Sequence, residues 1–324
     1  ETVSAVRVGG ALLPADVLSA VLAGTLDGLG SGDYHLAGEA PRGAAARVWT
    51  HLLGVYRRFR DDLAARPDAD PAVGLTRERW LTVLLFELGY GRVPTTGAVT
   101  GAGGIVAGDK TYPVSHRWGV TPIHLLGWNV PLDTRTPGVA GATRAPHAMV
   151  QELLNRDDTS QWAILSNGRV LRLLRDSTSL VGQAFVEFDL EAIFDGELFA
   201  EFAMLYLLTH QSRVEVPVGG TAADCWLERW RTTAISEGVR ARSLLRDGVQ
   251  DALETLGTGF LQHPANTQLR DDLACGAVRL EDVHASLLRT VYRLLFWFVA
   301  DDRDVLLDPA TPPLAADRYR DHFS

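Results

Sequence analysis

The hydrophobic pattern is most decisive between residues 112 and 213. Ile123–Leu126 is a short apolar run bounded by Pro122 and Gly127, the pattern of a buried strand. Trp162–Ser166 and Val170–Leu174 are two apolar runs split by Asn167-Gly168, a strong hairpin signal. Phe185–Phe188 repeats the strand pattern. Leu198–His210 is apolar nearly all round, which predicts a buried helix. Strand, short helix, hairpin, strand and long helix in this order predict a mixed sheet carrying helices, an α/β fold.

The flanks are helical. Pro14-Ala15-Asp16 opens a short helix that ends by Gly24, and the Gly-rich, polar stretch Thr25–Gly38 predicts a surface loop. Arg42–Ala65 is amphipathic, with Val48, Leu52, Leu53, Tyr56 and Phe59 on one side. Arg57, Arg58 and Arg60 cluster near its C-terminal pole, where a solvated basic face is favourable. Arg66–Gly74 is a break. Leu75-Thr76 followed by Glu78 predicts a capped start for a buried helix through Trp80–Leu88. A loop over Tyr90–Gly108 is expected next.

The C-terminal third reads as helix throughout. Ala222–Leu256 carries Trp226, Trp230, Ala234, Leu244, Leu245 and Val249 with a break near Gly238; Phe260–Leu273 is interrupted at His263-Pro264. Leu280–Val299 repeats Leu287, Leu288, Val291, Leu294, Leu295 and Phe298, and these stripes are assigned to a core. Asp308-Pro309 and Pro312-Pro313 predict a linker. The expected division is an α/β domain over 1–215 and an all-helical connector over 216–324.

Composition narrows the chemistry. The 324 residues are 46% hydrophobic and 22% charged, as in an ordinary globular protein, with room for two domains. The net charge of −9 excludes a chain that is polyanion-binding throughout but leaves room for a local basic face. No apolar run reaches the ~18–20 residues of a membrane span, and the start lacks a secretion-signal layout, so a cytoplasmic protein is expected. Cys225 and Cys275 lack metal or redox spacing and are expected as reduced, packed thiols. Lys110 is the single lysine among 31 basic residues, so there is no P-loop, and a Schiff-base enzyme would have to use it. The glycines of Gly101–Gly104 open no helix, so they are no dinucleotide fingerprint. The chain begins without an initiator Met and stops just after a helical stretch, which suggests a piece of something longer.

A helix, a strand near an acidic residue, and a strand that would carry E-x-K form the arrangement of a PD-(D/E)xK nuclease. Such a site needs two carboxylates on Mg²⁺ and a lysine near the attacking water. Here the E-x-K positions fall on Gly127, Trp128 and Asn129, and the sequence holds no E-x-K. A degenerate nuclease-like domain with a dead site is the expectation. The rival from another class is an endonuclease with a migrated site built from Asp109, Lys110 and a carboxylate such as Glu87 or Asp133. His116, His124 and His147 do not have metal-ligand spacing, and His124 is expected in the core. Asp301, Asp302 and Asp304 are expected as a solvated helix end, with no calcium-loop pattern after them.

Several ordered stretches carry a family resemblance: RAPHAMVQELLNRDD, WAILSNGRVLRLLRDS, FVEFDLEAIFDGELFAEFAMLYLL, CWLERWR and LLRTVYRLLFWFVADDRDVLLDP. Together, over roughly residues 75–324, they resemble the N-terminal region of large adenine-specific DNA methyltransferases. These are similar to type IIG restriction–modification enzymes and to the methylase of the DISARM phage-defence system. The resemblance implies a nuclease-like domain and a helical connector ahead of an N6-adenine methyltransferase. The S-adenosylmethionine pocket and N-P-P-Y motif belong to that later domain. This chain has no N-P-P-Y, so no cofactor and no catalytic residue are expected within it, while the parent protein would use S-adenosylmethionine.

Double-stranded DNA is the expected partner, with other defence-system proteins as further ones. Arg144, His147, Asn155 and Arg156 lie around one short helix; Asn167, Arg169, Arg172 and Arg175 lie on the hairpin and its exit. Packed together, they would form a basic face able to meet phosphates. The alternative is internal: Asn167 serves the turn, while Arg172 and Arg175 pair with Glu187 and Asp189 across the sheet. A scaffold that docks on defence-system partners without touching DNA is the third reading.

Overall fold

Apolar strands buried on both faces build the central sheet. In the computed structural model, strands β1 (Val6–Gly9), β4 (His116–Trp118), β5 (Thr121–Leu125), β6 (Trp162–Ser166), β7 (Val170–Arg175) and β8 (Phe185–Asp189) form one six-stranded sheet. Its order is β1-β8-β7-β6-β5-β4. Only β5 and β6 are parallel; the other pairs are antiparallel, so the sheet is mixed. The structure describes residues 5–10, 12–97, 103–176, 184–303, 305–308 and 311–322. Gly101, Asp304 and Pro309 therefore lie outside the described residues.

Every residue of β5 and β6 is buried, because both sheet faces are covered. One face, with Ile123, Leu125, Trp162, Ile164, Leu171, Leu173, Val186 and Phe188, packs on helices α1 (Ala15–Ala23), α2 (Pro41–Ala64), α5 (Leu190–Asp195) and α6 (Phe199–Thr209). The helical stretch 73–90, α3, lies on the same face. The opposite face, with Ala163, Leu165 and Leu174, packs on α4 (Pro146–Leu154) and on a small hairpin of β2 (Ile105–Ala107) and β3 (Lys110–Tyr112). The period of two decides which side each residue joins.

The expected strands, the hairpin at Asn167-Gly168 and the helices near residues 15–23, 41–64 and 199–209 are present. Between residues 25 and 90 three features differ from expectation. First, Tyr34 is buried within the expected surface loop, donating its hydroxyl to Leu207 O at 2.8 Å. Second, α3 starts at Val73, before the expected cap. Asp70 accepts from the Ala72 N–H at 2.8 Å, and Ala72 adopts positive φ, so the chain is already turned into the helix there. The Thr76 hydroxyl caps nothing; it donates to Ala72 O and accepts from the Trp128 N–H. Third, α3 is not uniform. Its α turns, Val73–Thr76 and Thr82–Leu85, alternate with wide π turns, Arg77–Leu81 and Phe86–Tyr90. Such turns are rare and concentrate at functional sites.

Trp80 ties α3 to the hairpin. It is fully buried among Tyr56, Phe59 and Phe194, and its indole N–H donates to Gly168 O at 2.9 Å. Gly168 turns with φ +86°, and a Cβ there would lie 2.6 Å from Thr76 Cγ2.

Two compact units, Glu1–Ile235 and Ser236–Ser324, divide the chain. The division falls inside α7 (Trp226–Gln262), after the boundary expected at 215/216, because Leu227 and Trp230 are buried in the first unit's core. No break occurs at Gly238; a glycine inside a long helix costs only about 1 kcal/mol. The second unit adds α8 (Thr267–Ala274), α9 (Leu280–Asp302) and α10 (Pro313–His322); the last occupies part of the expected linker. The stripes assigned to a core are only partly covered: Trp230 and Val291 are buried, while Trp226, Ala234, Val249, Leu287, Leu288 and Leu295 are half-buried. Leu244, Leu245, Leu294 and Phe298 are open to solvent, as are Phe296 and Trp297; on α9 only Val291 and Ala300 are buried. Periodicity fixes which side of a helix is apolar, not whether another element covers it. Cys225 is buried as expected, but Cys275 is exposed.

Candidate functional site

The seven expected DNA contacts separate into two groups. His147, Asn167 and Arg172 are buried; Asn167 and Arg172 spend their polar atoms inside the fold, while His147 Nε2 is buried without a hydrogen-bond partner among the described residues. Arg144, Asn155, Arg156 and Arg169 are exposed.

Arg172 is the centre of the buried group. It lies on the α4 side of β7, opposite Glu187 in register, and is 7% exposed. Its Nε donates to Glu187 Oε2 at 2.6 Å, while Nη1 and Nη2 donate to the two Asp133 oxygens at 2.6 and 2.8 Å. Arg7 on β1 faces Glu187 at 3.4 Å, so the charges alternate across three strands. Arg172 Nη1 also lies 2.9 Å from His147 Nδ1. A guanidinium only donates, so Nδ1 must accept and the imidazole proton sits on Nε2. Burial, with Arg172 second, holds His147 down at about 4, which keeps this ring neutral. The Arg172 pair holds Asp133 below the usual carboxylate range. Arg7, Asp133, Arg172 and Glu187 line a cavity of about 380 Å³ with Asn167 and Asp189. Asn167 serves the turn as expected: its Oδ1 accepts from Arg169 N and Val170 N, and its Nδ2 donates to Val130 O. Arg175 instead pairs with Glu228 of α7, at 2.7 and 2.8 Å, because the register sets Asp189 opposite Val170, at the other end of β7.

The exposed group centres on Glu152 of α4. It accepts from Lys110, from Arg144 at 2.5 Å and from the Tyr112 hydroxyl at 3.0 Å, with Arg156 at 3.9 Å. Lys110 first and then Arg144 pull its pKa down to about 2. Arg156 also reaches Asp109 at 3.2 Å, and Asn155 accepts from Gln151. Three cations thus stand around two carboxylates. Arg169 pairs with Glu191 of α5 through Nε and Nη2, at 3.0 and 2.8 Å.

The nuclease positions are filled by packing. β5 ends at Leu125, so 127–129 lie beyond the strand. A Cβ on Gly127 would meet Pro71 O at 1.8 Å, which leaves no volume for a carboxylate side chain. Trp128 is buried against Phe59 and Tyr56, and Asn129 donates to Asp68 O and Asp70 O. The alternative set is spread over different partners: Asp109 with Arg156, Lys110 with Glu152, Glu87 with His51, Asp133 with Arg172. Among the described residues no group of three or more His, Cys, Asp or Glu is placed to hold a metal ion. His124 is a satisfied core histidine, as expected. Its Nδ1 accepts from Ser115 N and its Nε2 donates to Gly141 O at 2.9 Å.

A second, roomier cleft has no counterpart in the sequence pattern. A cleft of about 1160 Å³ opens beside the π turns of α3, lined by Arg77, Glu78, Thr82, Phe86, Glu87, Ser115 and His116. Its walls come from residues 51, 74–97, 103, 113–116 and 140–141, which are distant in sequence. The one local signal is an arginine, Arg77, opening a helix otherwise read as buried.

No family model, no curated protein and no solved structure matches this chain. Among the described residues no helix is long and apolar enough to cross a membrane.

Proposed function

We propose that this chain is a non-catalytic N-terminal region of a DNA N6-adenine methyltransferase from a phage-defence (DISARM-like) or restriction–modification system. In this reading the first unit is a degenerate PD-(D/E)xK nuclease-like domain that supports DNA binding. The second is a connector toward the methyltransferase domain of the parent protein, where S-adenosylmethionine would bind. The observation that carries the non-catalytic part is the packing at Gly127: Pro71 O occupies the space an E-x-K glutamate would need. The purified protein is therefore expected to leave duplex DNA intact in Mg²⁺ or Mn²⁺. Metal-dependent cutting that disappears in Asp109→Ala would favour the endonuclease with a migrated site instead.

The DNA-binding part rests on Arg144, Arg156 and Arg169. Each already holds a carboxylate, so a phosphate must replace or share that partner. If each neutralises one phosphate, the slope of log K against log salt falls by about 1 per Arg→Ala change, on any duplex sequence. A docking scaffold is the second reading, favoured by the exposed Phe296, Trp297 and Phe298 of α9. Under it the three variants keep the salt slope of the parent chain. Salt titrations of duplex binding with each variant separate the two.

A further inference from the structure

Arg77 is a half-buried arginine that meets a backbone carbonyl and no described carboxylate, as do Arg117 and the fully buried Arg213, and it lines an open cleft. Arg60, Arg172 and Arg175 each meet a carboxylate at hydrogen-bond distance. Arg77 spends its Nε on Leu125 O, at 2.7 Å, and no described carboxylate forms an ion pair with it. Burial alone pulls its pKa below the usual arginine value. The buried histidines nearest in charge, His116 and His124, both feel Arg77 as a like charge and stay neutral near pH 7. A desolvated cation without a counter-charge is costly, and an anion brought against it would relieve that cost. The guanidinium lines the 1160 Å³ cleft, so an anion has access to it.

The same cleft presents an aromatic side chain. Phe86 stands on its wall and is 60% exposed, although it belongs to the second π turn of an otherwise well-packed helix. Val83, Val93 and Val114 extend the apolar part of the lining. Arg77 and Phe86 are nine residues apart on α3, roughly 13 Å along the axis. An inorganic anion cannot reach both; a ligand with an anionic end and a planar ring can. Glu78, Glu87 and the exposed Arg92 share the lining, and Glu87 is already paired with His51 at 2.9 Å. Arg77 and Arg92 against two carboxylates suit one anionic group and oppose a string of them.

We infer that the cleft between α3 and the 113–116 segment is a binding site for a small organic anion of the nucleoside-monophosphate class. Arg77 takes the phosphate, with Ser115 and His116 beside it, and Phe86 takes the ring face. Stacking on an aromatic side chain tolerates any base, so the site selects a nucleotide shape rather than a base.

Calorimetric titration of the full chain at pH 7.5 tests this, with adenosine 5′-monophosphate, adenosine, inorganic phosphate and a single-stranded oligonucleotide as separate probes. Saturable binding of the monophosphate is expected, with adenosine and phosphate each weaker by about tenfold or more. Arg77→Gln should weaken the monophosphate by about tenfold, while its amide can still donate to Leu125 O. Phe86→Ala changes an exposed side chain, so its fold is safe; it should weaken the monophosphate several-fold and leave phosphate unchanged. Absence of saturable heat from the monophosphate overturns the inference. So does binding that neither variant changes. An oligonucleotide that binds more tightly and displaces the monophosphate would make the cleft a strand site and overturn the assignment to a free small anion.

Discussion

Acidification from pH 7.5 to about 5 is expected to unfold the first unit, well before its carboxylates titrate. Four buried histidines carry this effect: His116, whose Nδ1 faces Ser115 Oγ and which burial holds at about 4, and three whose Nδ1 accepts from an N–H donor. In His124 and His210, Nδ1 accepts from a backbone N–H, of Ser115 and Ser212; in His147 it accepts from Arg172. None of these three can take a second proton without losing that bond. Burial is the main cause that holds all four at about 4, with a neighbouring arginine adding to it in each case. In the unfolded chain each protonates near its ordinary value of 6.5. Between about 6.5 and 4 the unfolded state therefore binds more protons, and stability falls as pH falls. Each histidine contributes up to about 1.4 kcal/mol per pH unit in that window, or about 5.6 kcal/mol per unit for four. That is comparable to the whole stability of a typical domain within two pH units. Urea midpoints at pH 7.5, 6.5, 5.5 and 5.0 measure it. His210→Asn should flatten the dependence by roughly a quarter. A midpoint that stays constant from pH 7.5 to 5.5 would contradict the account.

The second large effect is expected at Arg172. Arg172→Met keeps most of the volume but leaves Glu187 buried without its main cation, and frees Asp133. Breaking a buried pair from one side costs about 3–5 kcal/mol, mostly the penalty of the charge left behind. Replacing Glu187 with Leu in the same chain removes that charge. The double variant Arg172→Met with Glu187→Leu should therefore be more stable than Arg172→Met alone, by about 1–3 kcal/mol. Denaturant titrations of the parent, both singles and the double complete the cycle. A cost under about 1 kcal/mol for Arg172→Met would mean that the pair is not held as described.

The legible parts of this fold were those set by local chemistry. Asn167-Gly168 marked its hairpin because the turn needs an αL glycine and a side chain that accepts from the next amides, and both are present. The pairing of Arg172 with Glu187 was open to reading once the hairpin and the third strand were placed in register. β1 was not legible: Val6–Gly9 is four residues long, exposed in its middle, and pairs with a strand about 180 residues away. The π turns of α3 were equally hidden, since one extra residue per turn leaves a helical pattern almost unchanged. Arg213 shows the same limit. It is fully buried, donating to Gly28 O and Asp33 O and stacked on Tyr34, partners that no periodicity connects to it. The cleft required five separated segments to meet, so only Arg77 hinted at it.

Lys110 carries the only ε-amine among the chain's side chains, and that amine is held by Glu152 beside Arg144. Reagents or enzymes that acylate lysine therefore have one side-chain target in the sequence. Acylation there would remove the positive charge that does most to keep Glu152 ionised. The carboxylate would keep Arg144 and Tyr112, and the link between the β2–β3 hairpin and α4 would lose its strongest bond. A labelling yield at this single amine, followed over time, reports how often that link opens.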